Sequence, residues 1–260
     1  MMALQRWKLT IEYNGTGYAG WQLQTDGAVT VQEVIETAIQ KFSGIFCRLH
    51  AAGRTDAGVH AHGQVAHFDL DYGDRPLDGY MLMKALNAHL GHGRVAIIKA
   101  EKVSNDFHAR FGAINKLYTY RILSRVAPPT FDKNLVWWMR RDIDINLMQE
   151  GANFLLGTHD FTTFRAKECQ SKSPIKTIDR IDIQKIPFDE NSYEIRFFVE
   201  GQSFLHHQIR NMVGTLIQVG IGKWKPTDVQ IALESKDRAK GGMTAPASGL
   251  SLTRIDYSRA

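Results

Sequence analysis

Cysteine is scarce in this chain, with two residues, Cys47 and Cys169, among 260. They lie far apart and outside any CxxC spacing, which excludes a disulfide framework and a zinc knuckle and points to a reducing compartment. Long apolar runs are missing too, since no stretch approaches the roughly 18 residues that cross a bilayer as a helix. The first nine residues carry no extended apolar segment of the kind that directs secretion. The chain is therefore expected in the cytoplasm, away from membranes. Acidic residues are the minority charge, 27 against 32 Lys and Arg, for a net charge of +5. That balance suits a polyanionic partner without demanding one. A hydrophobic share of 43% excludes a disordered chain, and the length suffices for one large core or two smaller ones.

Periodicity supplies the architecture. Trp7, Leu9, Ile11 and Tyr13 alternate with polar residues, the period of a half-buried strand. A turn cluster follows at 14–17. Thr30 and Glu33 form a capping-box pair ahead of a helix over 31–42. Strands over 46–52 and 65–70, a helix over 77–90 and a strand over 95–103 complete the order strand, helix, strand, strand, helix, strand. That order is the ferredoxin-like βαββαβ pattern. It repeats with a strand over 114–124, a helix over 146–156, strands over 175–186 and 193–200, a long helix over 204–219, a short one from Pro226, and a closing strand over 250–257. The expected class is α/β (α+β), with two ferredoxin-like halves, 1–112 and 113–260. Their mixed or antiparallel sheets are expected side by side, with a central active-site cleft. Residues 165–174 read as an exposed basic loop and 237–247 as a mobile connection, both suited to touching phosphates.

The two middle strands of the first half are joined by GRTDAGVH at 53–60. Loops of this length in compact domains are more often functional than idle. Gly53 and Gly58 permit backbone angles closed to other residues. Between them Arg54 sits two residues from Asp56, a spacing that lets a guanidinium keep a carboxylate ionised and oriented. Spacing alone equally allows an incidental surface ion pair. His60, His62 and His67 beside Asp56 invite a metal site, but no HExxH or comparable spacing supports one. His206 and His207, if helical, point about 100° apart, so one at most faces a site, with Arg210 a turn further on. Tyr118 has the chemistry to stack on a splayed base.

GRTDAGVHA, followed in order by HARF, KLYTYRI, DFTTFR, HHQIRNMVG and SGLSL, resembles the tRNA pseudouridine synthase A family, and the match runs over 13–256. The resemblance implies a cofactor-free isomerase that needs no metal. It would convert uridine to pseudouridine at positions 38, 39 and 40 of the tRNA anticodon arm and work as a homodimer on tRNA. By the same resemblance Asp56 is the essential aspartate, Arg54 its partner, and Tyr118 the residue stacked on the target uracil. Leu250 is an apolar pocket wall and Arg210 a basic residue of the site. An ionised carboxylate suits the chemistry by attack at ribose C1′, by addition at uracil C6, or by taking a proton from the sugar. A non-catalytic RNA-binding module is the alternative of a different class.

Overall fold

Apolar alternation and helix caps account for most element boundaries in the computed structural model, which describes residues 4–24, 27–73, 76–91 and 93–258. Its class is α+β, with five α-helices among the described residues and mostly antiparallel strands. The chain divides into two compact units, one running to Ile114 and resuming at Leu252, the other Asn115–Ser251.

The first unit contains β1 (Gln5–Tyr13), α1 (Val31–Ser43), β2 (His50–Ala51), β3 (His60–Leu70), α2 (Gly79–Leu90) and β4 (Val95–Val103). Its strand order is β4-β1-β3, all antiparallel, with β2 also paired to β3. Trp7, Leu9, Ile11 and Tyr13 are all buried, as the alternation requires. The Thr30 hydroxyl accepts from the Glu33 amide and starts α1, a cap worth about 1 kcal/mol. Asp78 caps α2 by accepting from the Met81 amide, so the helix begins two residues later than the spacing predicts.

The strands around the glycine loop differ from the sequence expectation. β2 is two residues long, because the Leu49 amide is taken by the buried Glu36 carboxylate at 2.9 Å rather than by a ladder partner. Glu36 also accepts from Gln32 and pairs with Arg48 at 3.0 Å, fixing the entry to β2 on helix α1. β3 is longer than expected and begins at His60, since Gln64 and Ala61 pair with Ile11 and Tyr13 of β1.

The second unit contains β5 (Ala113–Ser124, from its third residue onward), β6 (Trp137–Met139), α3 (Ile145–Asn153), β7 (Gly157–Asp160), β8 (Ile175–Ile178), β9 (Arg180–Asp189), β10 (Ser192–Gly201), α4 (Gln208–Gly220) and α5 (Pro226–Ser235). The last strand, β11 (Leu250–Tyr257), begins in this unit and ends in the first. β5, β10 and β9 form an antiparallel core, β6 lies parallel to β5, and β7 pairs with β8. The single strand expected over 175–186 is broken at Asp179, where β8 turns to pair with β7 and β9 joins β10. Glu194, almost fully buried on β10, is held by Arg121 and Arg196, whose pairing outweighs burial and keeps its carboxyl below the usual range.

Candidate active site

Asp56 lies half-buried in the first unit on the eight-residue connection 52–59 between β2 and β3, with Arg54 exposed and Thr55 buried between them. The connection is fastened to the segment that follows β1. The Trp21 amide donates to the Thr55 carbonyl at 3.1 Å, and the Gly58 amide to the Tyr18 carbonyl at 3.3 Å. Within the connection, the Val59 amide closes a turn on the Asp56 carbonyl at 3.1 Å. Side chains fasten it from below. The Tyr13 hydroxyl lies 2.8 Å from Thr55 Oγ1, and Gln64 Nε2 donates to the Gly53 carbonyl at 2.8 Å. Burial pushes the Tyr13 phenol up to about 12, so it remains a neutral hydroxyl. Gly58 uses the left-handed conformation, φ +77, whereas Gly53 does not.

This wrapping leaves no room for a side chain at two positions of the facing segment. A Cβ on Gly15 would stand 2.0 Å from the Val59 carbonyl oxygen, and one on Gly20 2.7 Å from that of Thr55. The turn cluster after β1 is therefore a second wall of the site, and nothing in its local pattern tells which loop it touches.

The three loop and strand histidines serve separate ends. His60 Nδ1 accepts from the Gly15 amide at 2.9 Å, His67 Nδ1 from the Ala109 amide at 3.2 Å, and exposed His62 stands 3.6 Å from Glu12.

In the second unit Tyr118 lies on β5, buried, with Phe204 edge-on at 5.2 Å. Two residues on, Tyr120 donates to the Pro246 carbonyl at 2.7 Å; burial raises its phenol, and the nearby Arg210 guanidinium opposes that rise. Arg210 Nε donates to the Ala245 carbonyl at 2.8 Å. Leu250 follows a short 3-10 turn, Ala247–Gly249, and is buried. Residues 245–250 thus bring Arg210, Tyr120 of the Tyr118 strand and Leu250 to one segment. Residues 237–247, which read as a mobile connection, are bonded to the body of this unit. Arg238 donates to the Gly242 carbonyl and the Asn211 side chain, and Thr244 donates to Asn211 at 2.6 Å.

His206 and His207 are not on the helix. α4 starts at Gln208, and His207 caps it with φ +62, a conformation uncommon for a residue with a side chain. The two side chains are therefore not splayed 100° apart on helical faces. Their rings pack 4.0 Å apart, and the His206 carbonyl accepts from the Ala166 amide.

A family model described as tRNA pseudouridine synthase matches residues 9–112 and 152–258. The chain belongs to the tRNA pseudouridine synthase family. Proteins named tRNA pseudouridine synthase A are similar to it almost end to end. That of Paramagnetospirillum magneticum is 52% identical, covering 98% of this chain and 96% of the relative. Those of Rhodospirillum rubrum and Beijerinckia indica are 48% and 50% identical, covering 97% and 98% of this chain and 87% and 94% of the relatives. A solved Cbf5–Nop10–Gar1 complex aligns at 12% identity with a TM-score of 0.31 over 94% of this chain and 57% of that one, a likeness too loose to carry an argument. Family membership makes the chain an isomerase that turns uridine of tRNA into pseudouridine. Among the described residues no helix is long and apolar enough to cross a membrane.

Proposed function

We propose that the chain isomerises uridines at positions 38, 39 and 40 of the tRNA anticodon arm in the cytoplasm, as a homodimer and without a cofactor, using Asp56 as its essential carboxylate. The two ferredoxin-like halves, 1–112 and 113–260, divide the work: the first carries the reacting loop. Tyr118, Arg54, Leu250 and Arg210 bind the substrate, Tyr118 through its ring. In the reaction the bond from uracil N1 to ribose C1′ breaks, the base turns, and C1′ rejoins at C5. The C5 proton is lost and N1 gains one, so substrate and product have the same atoms. Release of the uridine from its stack is required before a carboxylate reaches it. Phosphate contacts from Lys and Arg position the arm without reading its sequence.

One observation carries the assignment of Asp56. The main chain of its loop is bonded on both flanks, to Tyr18 and Trp21 on one and to Gln64 on the other, while Asp56 itself stays half-open to solvent. A preorganised, accessible acid is what such chemistry needs. The test is conversion of uridine to pseudouridine in unmodified tRNA with EDTA present, wild type beside Asp56→Asn. Product from wild type alone is expected, with tRNA binding retained by the variant. Appreciable turnover by Asp56→Asn removes the aspartate from its role, and binding without product from either protein supports the non-catalytic module.

A further inference from the structure

The geometry points to the Tyr13 hydroxyl as a positioning group for the reaction: through Thr55 and Gln64 it holds the 53–59 loop in the conformation that presents the Asp56 carboxylate. The inference rests on Asp56 being the reacting carboxylate.

Tyr13 closes β1 and is buried, with Trp21 against its ring at 5.9 Å. A phenylalanine fills the same space. The hydroxyl is therefore an added polar group in an apolar surrounding, a cost unless it is bonded. Its partner is Thr55 Oγ1 at 2.8 Å, on the residue before Asp56. Gln64, fully buried on β3, brings Nε2 to 3.5 Å from the same phenol oxygen and donates to the Gly53 carbonyl at 2.8 Å. A side-chain amide nitrogen is only a donor, so this contact leaves the phenol hydrogen for Thr55. One buried polar cluster thus grips loop positions 53 and 55, on the strand side. The Trp21 amide takes the Thr55 carbonyl from the other side. With its carbonyl and its hydroxyl both fixed, Thr55 cannot turn, and the peptide leading to Asp56 cannot turn with it. Misplacement of a reacting group by about 1 Å costs on the order of a hundredfold in rate, so the hydroxyl acts on turnover rather than on tRNA affinity.

The experiment measures kcat and KM on unmodified tRNA for wild type, Tyr13→Phe, Thr55→Val, Thr55→Ser, the Tyr13→Phe/Thr55→Val double variant and Asp56→Asn. Tyr13→Phe and Thr55→Val are expected to lower kcat roughly tenfold or more with KM within about twofold of wild type. The double variant should be no slower than the slower single one, as for two ends of one bond. Thr55→Ser, which keeps the hydroxyl, should restore most of the rate. Wild-type kcat in Tyr13→Phe overturns the inference, as does a loss carried by KM or equal losses in Thr55→Ser and Thr55→Val. If Thr55→Val does not fold, Tyr13→Phe decides alone. An inactive Asp56→Asn beside an unimpaired Tyr13→Phe confines the failure to the positioning role. An active Asp56→Asn removes the assignment of the carboxylate, and the positioning role falls with it.

Discussion

At the scale of the residue, Gly20 separates backbone freedom from space. It takes φ +92, and an added Cβ would meet the Thr55 carbonyl oxygen at 2.7 Å and Asp56 and Ala57 main-chain atoms at 3.1 Å. Those obstacles are backbone of the Asp56 loop, which cannot swing aside as a side-chain tip can. Gly44 takes a similar φ of +79 at the end of α1 with nothing within 4 Å of an added Cβ. Both Gly20→Ala and Gly44→Ala should lose stability, about 1–3 kcal/mol for the strained conformation, read as a drop in Tm. Turnover should fall only in Gly20→Ala, whose collision displaces Asp56. Equal turnover in the two variants would show that the loop absorbs the intrusion. The sequence marked the loop itself through Gly53, Arg54, Asp56 and Gly58. It was silent on Gly15 and Gly20 as the opposing wall, because a turn residue carries no local sign of which distant backbone it touches.

At the scale of the element, β3 carries a buried titratable group, His67. Its ring is buried, accepts from the Ala109 amide, and stacks on His50 at 5.1 Å with His108 edge-on at 4.7 Å. Burial first, then the neighbouring His108, Arg6 and His50, push His67 down to about 4, against the opposing pull of Asp69. Its folded value lies below the unfolded one near 6.5, so the unfolded chain takes up the proton first as pH falls. Stability is therefore complete above about pH 6.5, declines between about 6.5 and 4, and levels below that, for a total of about 3 kcal/mol. Urea unfolding at pH 7, 5 and 4 should show this decline in wild type and a flatter one in His67→Asn, which offers an acceptor but does not titrate. Parallel pH profiles for the two proteins would assign the decline elsewhere. Element boundaries were legible where one local signal set them, as at Thr30 before α1 or over β4 and β11, whose limits match the spacing. They were not where tertiary partners intervened. Glu36 takes the amide that would extend β2, and His207 adopts a left-handed cap that delays α4 to Gln208.

At the scale of the whole molecule, most elements were readable because each carries its own period, whereas the short strands β6 and β7 were not expected and the use of the charges was not readable. A net charge of +5 counts Arg121 and Arg238 equally with Lys167 and Lys172. Arg121 is bound to Glu194 and Asp132, and Arg238 to Asn211, Thr244 and the Gly242 carbonyl, with burial lowering its pKa. Such cations stabilise the fold and have little left to offer a phosphate. In the 165–174 loop, Arg165 likewise donates to the Cys169 and Ser171 carbonyls and shapes the loop, whereas Lys167 and Lys172 are exposed. Phosphate binding by these lysines would release counterions, each contact steepening the fall of log K with log salt by about 0.9 for duplex and 0.7 for single strand. Lys167→Gln with Lys172→Gln should therefore weaken tRNA binding at low salt and flatten that slope by about 1–2, with kcat at saturating tRNA and Tm near wild type. Arg238→Gln should do the reverse, lowering Tm and leaving the slope as it was. A slope unchanged in the lysine variant would place the phosphate contacts on other cations, and a slope changed in Arg238→Gln would mean that the guanidinium holding Asn211 and Thr244 reaches the RNA as well.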